Sequence, residues 1–329
     1  MKNYSSLIFF FLTVFVLSGT YLAYVLFRPL KEKPVPANFT CMHLGEGKFT
    51  DFKPNPKHIF GMGLVYSNHI LETASEFTPG EAPPIFLKKK RSLSPNHDEI
   101  KLPNAKELMD AILEFEPEIE KEKISNYSEL PALLDYEVEL GFVLLEDIPK
   151  DEIQKENFNP HLGFFIANDV SARSIAVLGE GQKDKAEYWG VSKSFSGFLP
   201  VSDKVWIPKS PKGNGIPCIP IQTFVNNEER QSENTSKMIY TPVEMLRFIQ
   251  KKYPEIALEK NDMIIMGTPG GVAMSSPRWL ARFADLLGLN RFQKLKAVLR
   301  KDRSKFLKVG DTVIVKGDGF GEVKSKIVE

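Results

Sequence analysis

Glu137-Val138-Glu139 lies inside the apolar run YEVELGFVLL, and this short pattern constrains the chain more than any other. Residues i and i+2 of a strand point to the same face, so as a strand the run sets two carboxylates side by side among apolar neighbours. Left unpaired they would repel, and one would take up a proton, so such a strand asks for a cation between them. The bland alternative is an amphipathic strand with a solvated glutamate face. Other strand-like stretches are Ile85 to Leu87, Val205 to Ile207, Ile219 to Val225, Met263 to Met266 and Asp311 to Lys316, with TPGEAPP, SPKGNGIP, GTPGG and KGDGFG as punctuation. Helical signals sit at Ala105 to Phe115, capped by Asn104, and at Pro242 to Lys252, where Thr241 can cap and Pro242 and Glu244 suit a first turn. From residue 58 onward the expected body is mainly β, of the α+β class.

With 43 Lys and Arg against 42 Asp and Glu, the chain gives no whole-protein electrostatic reason to expect nucleic acid as a partner. Hydrophobic residues at 42% and charged residues at 26% exclude a disordered chain, a collagen or a polytopic transporter. Two cysteines, Cys41 and Cys218, are too few for a disulfide framework or a cysteine-built zinc site.

Two segments stand apart from the body. Leu7 to Phe27 carries no charge across 21 residues, long enough for a bilayer core, and reads as a single membrane anchor over residues 1–34 rather than a cleaved signal peptide. Lys2 on one side against Arg28, Lys31 and Lys33 on the other favours a cytoplasmic body, with residues 35–57 as a Pro-interrupted stalk. Residues 278–308 hold ten Lys and Arg against two Asp, interleaved with Trp279, Phe283, Leu286, Leu287, Phe292, Leu295 and Leu299 at roughly helical spacing. This basic amphipathic segment packs its apolar stripe on the body or, in the sharper reading, meets anionic lipid beside the anchor.

Further chemistry-bearing residues follow. Asp169, in IANDVSAR, is a third carboxylate, and an all-oxygen set favours Mg²⁺ or Mn²⁺ over zinc. Arg173 and Lys193 are candidate partners for an anionic substrate group. His69 and Glu72, three residues apart, share a helical face and could hold a water and take its proton. MGTPGGV is a tight loop after a strand, where backbone amides can approach a carboxylate and Thr268 offers a hydroxyl. GDGFG, near the C-terminus, reads as a hairpin turn. Each of these alone is more often structural.

Taken in order, GLVYSNHILE, PPIFLK, YEVELGFVL, IANDVSAR, SKSF, GTPGGV and GDTVIV resemble the fumarylacetoacetate hydrolase family over residues 58–329, most closely its acylpyruvate hydrolases and oxaloacetate decarboxylases. The resemblance implies a mixed β-roll, a homodimer, and a divalent cation, Mg²⁺ foremost with Mn²⁺ or Ca²⁺ as substitutes, on Glu137, Glu139 and Asp169. It implies a His69–Glu72 lid dyad that prepares water, with Lys193 at the catalytic centre, and substrate-binding roles for Arg173, Lys193, Thr268 and Lys88. The implied activity is hydrolysis of a carbon–carbon bond in a 2,4-diketo acid through an enolate that the metal stabilises. Isomerase, decarboxylase and dehydratase chemistry are the near alternatives, and an inactive tethered scaffold the far one. Departures are Lys89 for the usual proline after Lys88, Ser174 where an acidic residue often follows the arginine, Ala176 at the spacing of a family glutamine, a slightly long Arg173-to-Lys193 interval, the 278–308 insert and the N-terminal anchor.

Overall fold

Long apolar runs become strands buried on both faces, and alternating runs become half-exposed ones. The structure is a computed structural model that describes residues 3–30, 32, 34–73, 75, 77–78, 80–96, 98–122, 130–275, 278–300 and 303–329. Two large sheets are built from β1 (Gly47–Asp51), β2 (Ile59–Met62), β3 (Ile85–Lys88), β4 (Glu99–Lys101), β5 (Val138–Leu144), β6 (Leu162–Asn168), β7 (Lys204–Pro208), β8 (Pro220–Val225), β9 (Glu228–Asn234), β10 (Met263–Ile265), β11 (Thr312–Gly317) and β12 (Gly321–Val328). One sheet has the order β1-β7-β6-β5-β10-β2-β3, the other β9-β8-β11-β12-β4. Parallel pairings of β10 with β2 and β12 with β4 make the sheets mixed.

Every residue of β5 and β6 is buried. Even-numbered side chains of β5 such as Leu140 and Phe142 join the main core with Ile166, Ile221, Val313 and Val315, while Val143 joins a second cluster on the opposite face with Phe165 and Ile265. A central strand covered on both sides must be apolar nearly throughout, which accounts for the run GFVLL. The hairpin read in GDGFG joins β11 to β12, with Gly319 and Gly321 at φ +78° and +83°.

The helices are α1 (Asn3–Phe27), α2 (Ser67–Glu72), α3 (Ala105–Leu113), α4 (Arg173–Leu178), α5 (Lys185–Ser192), α6 (Pro242–Lys252), α7 (Arg278–Leu286) and α8 (Arg291–Leu299), besides short single turns. α3 and α6 carry the expected caps: Asn104 with Glu107, and Thr241 with Glu244, form reciprocal capping boxes. The basic segment forms two helices rather than one. Gly288, at φ +62°, breaks the run and Asn290 caps α8. Buried Arg291 pairs with Glu116 at 3.0 Å and donates to the Tyr188 hydroxyl at 2.6 Å, and Phe292 and Leu295 are buried beside it, so α8 packs on the body. Lys301 and Asp302 of that segment lie outside the described residues.

The N-terminal expectations need correction. The uncharged run does form α1, but among the described residues no helix is long and apolar enough to cross a membrane. The last turn of the run is taken up by α7. There the Phe27 and Trp279 rings lie 6.2 Å apart and Arg282 donates to the carbonyls of Leu26 and Arg28 at 3.4 and 2.7 Å. The single-pass anchor, the membrane as partner and the cytoplasmic placement built on that anchor are therefore withdrawn; Lys2, Lys31 and Lys33 of the charge comparison lie outside the described residues.

Nor do residues 35–57 hang free as a stalk. Thr40–Met42 pairs in parallel with Gly215–Pro217, Gly47–Asp51 is the edge strand β1, and Ala37 donates its amide to the Met238 carbonyl at 2.9 Å. Cys41 and Cys218, too few for a framework, form a disulfide across 177 residues. Such a bond is at odds with a compartment that keeps thiols reduced.

Candidate active site

Asp135, Glu137 and Glu139 stand two residues apart and precede or enter β5, so their side chains share one face of an extended segment. Across the β5–β6 pair, Val138 lies opposite Asn168 and Glu139 opposite Ala167, which brings the following residue, Asp169, alongside Glu137; the Asp169 amide donates to the Glu137 carbonyl at 2.8 Å. Glu137, Glu139 and Asp169 are all buried, and each offers an oxygen within 4.8 Å of the others.

Three cations converge on them. Lys193 donates to Glu137 at 2.5 Å and to Asp169 at 2.7 Å. Lys88 pairs with Asp169 and with the Lys193 carbonyl. Arg173 reaches Glu137 through one guanidinium nitrogen and Asp135 through Nε at 2.8 Å. Burial alone would raise Glu137, but Arg173, Lys193 and His69 outweigh it and hold the carboxyl well below the ordinary range. Glu139 goes the other way: burial, then the charges of Asp169 and Glu137, push it well above the carboxylate range. Its hydrogen bond from the Gly267 amide, 2.6 Å, does not offset them. Three converging carboxylates, one of them without a salt-bridge partner among the described residues, are an all-oxygen donor set that suits a hard divalent cation.

The loop after β10, Met266 to Val272, links this centre to the dyad. Gly267 and Gly271 have φ of +86° and +100°, and a Cβ on Gly271 would lie 2.3 Å from the Arg230 carbonyl, so these positions suit glycine. That backbone turns the Gly267 amide onto Glu139 and the Gly271 amide onto Glu72, 2.9 Å away. Glu72 in turn lies 3.0 Å from Nδ1 of His69, both on α2. The His69 side chain is 7% exposed, against 23% for that of Glu72. Thr268 is buried, and its Oγ1 accepts from Nε2 of Gln231 at 2.8 Å.

The structure thus gathers every residue singled out in the sequence: Glu137, Glu139 and Asp169 with Lys88, Lys193 and Arg173, and His69, Glu72 and Thr268 around one loop. It also shows three that the sequence reading missed. Asp135 accepts from Arg173, from the amides of Ala273 and Tyr136 at 2.8 and 2.9 Å, and from Met274 at 3.2 Å. Its signal was present as a third acid in the same period of two. Asn68 accepts from the amides of His69 and Gly270 at 2.8 and 3.1 Å, and Gln231 ties β9 to the loop; neither belongs to a local pattern.

Comparison with known proteins fits this arrangement. The sequence profile described as Fumarylacetoacetate (FAA) hydrolase C-terminal matches residues 58–328. An uncharacterized protein of Methanocaldococcus jannaschii is 31% identical over 244 residues, which are 74% of this chain and 84% of that one. The oxaloacetate tautomerase YisK of Bacillus subtilis is 28% identical over 69% of this chain and 64% of its own length. Among solved structures, fumarylpyruvate hydrolase of Pseudomonas aeruginosa, in complex with Mn²⁺ and pyruvate, superposes with a TM-score of 0.54 at 17% identity, covering 92% of this chain and 99% of that one, which speaks for the fold alone. The profile accounts for both large sheets except the edge strand β1, and for every acidic and basic residue of the site, so the chain belongs to the fumarylacetoacetate hydrolase family.

Proposed function

We propose that the protein hydrolyses a carbon–carbon bond in a 2,4-diketo acid of the acylpyruvate or fumarylpyruvate type, with Glu137, Glu139 and Asp169 as ligands of Mg²⁺ or Mn²⁺. The observation that carries this reading is the shared loop: Gly267 holds a carboxylate of the acidic centre and Gly271 holds Glu72, which supports His69 and Glu72 as a water-activating pair beside a cation. When bound, the cation supplies Lewis-acid polarisation of the 2-oxo acid end and stabilises charge developing there.

The chain's own groups do the rest. Glu72 accepts from Nδ1–H of His69 and so leaves Nε2 as the base. His69 takes a proton from water, whose oxygen attacks the distal carbonyl. The carbon–carbon bond then breaks, its electron pair passes into an enolate, and a proton returned to carbon completes the 2-oxo acid product. Lys193 offers positive charge to the developing anion, and Thr268 offers a hydroxyl to the substrate carboxylate. Arg173 and Lys88 act chiefly by holding Glu137 and Asp169 in place, a smaller direct share in substrate binding than the sequence suggests.

A second reading, tautomerisation or decarboxylation of oxaloacetate, has the name of the Bacillus subtilis relative in its favour. The purified full chain, assayed with Mg²⁺ or Mn²⁺ against acylpyruvates, fumarylpyruvate and oxaloacetate, separates the two. Chelator-sensitive release of a carboxylic acid and pyruvate supports the hydrolase; turnover of oxaloacetate alone supports the second reading, and none with any substrate removes both.

A further inference from the structure

Gln231 touches no charged group of the centre, yet three of its four side-chain hydrogen bonds go to Val138, Thr268 and Pro269 beside the site. The side chain is 1% exposed on β9. Its Oε1 accepts from the Val138 amide at 3.0 Å and from the Thr223 hydroxyl at 2.7 Å. Its Nε2 donates to the Pro269 carbonyl at 3.0 Å and to Thr268 Oγ1 at 2.8 Å. The orientation of the amide is not free, because the Val138 N–H can only donate and the Pro269 carbonyl can only accept. Nε2 must therefore be the donor towards Thr268.

A hydroxyl has one hydrogen, and the Thr268 oxygen is already an acceptor from Gln231. Its own hydrogen is therefore left to point elsewhere. The neighbouring amide, Gly267, faces Glu139, so Thr268 stands at the edge of the acidic centre. Val138, gripped by the same glutamine, is the residue between Glu137 and Glu139. We propose that Gln231 is a positioning residue: it fixes Thr268 as a hydrogen-bond donor to the carboxylate of a 2-oxo acid and locks the spacing between that donor and the two glutamates. Without Gln231, the Thr268 hydroxyl could turn and spend its hydrogen on a backbone carbonyl. The inference rests on the proposed reading of the site as one for 2-oxo acids.

Oxalate, whose two adjacent carboxylates place oxygens where the carboxylate and the 2-oxygen of such an acid would lie, serves as the probe, with Mn²⁺ present and the full chain as the protein. Affinity is measured by calorimetry for the wild type, Gln231→Met, Thr268→Val and the double variant, with melting curves and Mn²⁺ titration alongside. A hydrogen bond to a charged group is worth about tenfold in affinity. Each single variant is expected to lose about that much for oxalate while keeping its Mn²⁺ affinity, and the double variant no more than Thr268→Val alone. Should Gln231→Met cost as much on the Thr268→Val background as in the wild type, the residue acts through general packing and the proposal is overturned. If Gln231→Met does not fold, Gln231→Glu, which removes the Nε2 donor, takes its place in the same cycle: a loss of oxalate affinity that vanishes on the Thr268→Val background supports the proposal, and one that persists there overturns it. A wild type that binds Mn²⁺ but not oxalate removes the 2-oxo acid reading itself, and this proposal with it.

Discussion

The acidic centre and the N-terminal arm are held together in opposite ways. Around Glu137, Glu139 and Asp169, residues from β3, β5, the end of β6, α4 and the loop after β10 meet through buried charge, and Glu139 remains under repulsion from its neighbours. The arm, residues 34–42, meets the body through the Cys41–Cys218 disulfide, the short ladder to Gly215–Pro217, the Ala37 amide on Met238 and a 3.0 Å bond from Ser67 Oγ to the Pro34 carbonyl. Charge density costs stability and creates a place for a cation; a covalent cross-link stabilises and asks for nothing more. The two regions touch at α2, whose first residue, Ser67, meets the arm and whose third, His69, belongs to the dyad.

The sharpest way to break the comparison is to remove chemistry from the site while leaving its three carboxylates and Lys88, Lys193 and Arg173 in place. His69→Ala is expected to lower turnover by about 10²–10⁴-fold with Mn²⁺ affinity unchanged, checked by steady-state kinetics and metal titration. Asp135→Asn takes one of its two carboxylate partners from buried Arg173, Glu137 remaining, and should cost about 3 kcal/mol of stability, the upper end for a hydrogen bond between charged groups, read in denaturant melts. On the arm, replacing both cysteines by serine should cost about 2–4 kcal/mol, since the bond closes a long loop, and leave Mn²⁺ binding intact. Reductant should lower the wild-type melting temperature to that of the cysteine-free variant. The smallest effect belongs to Ser67→Ala, about 1 kcal/mol or less, because a single exchangeable hydrogen bond is lost there. A large loss of turnover in this variant would mean that the arm governs the dyad.

What could be read in the sequence follows this division. The site's residues sit in local patterns: Glu137 and Glu139 in a period of two, His69 and Glu72 in a helical one, and both main capping boxes in four-residue signatures. Together with the order of seven motifs, these led to the family and to a fold built of mixed sheets. Asp135 fits the same period but lies before the apolar run begins, where the pattern does not single it out. The errors lie in contacts that no local pattern encodes. Nothing in the neighbourhood of Cys41 points to Cys218, 177 residues on, and a run without charge looks the same whether its last turn is docked on α7 or not. Gln231 was missed for the same reason, since its partners come from Val138, Thr223, Thr268 and Pro269.

The central claim is that the three buried carboxylates hold a divalent cation. Melting curves of the full-length wild type and Glu139→Gln, with and without Mn²⁺, test it directly, because a ligand that binds only the folded state raises its melting temperature with concentration. The account predicts that Mn²⁺ raises the wild-type melting temperature and chelator reverses the rise. It further predicts that Glu139→Gln, relieved of repulsion, melts no lower than the metal-free wild type and ignores Mn²⁺. A wild type indifferent to both Mn²⁺ and Mg²⁺, or a Glu139→Gln protein that responds as the wild type does, would contradict it.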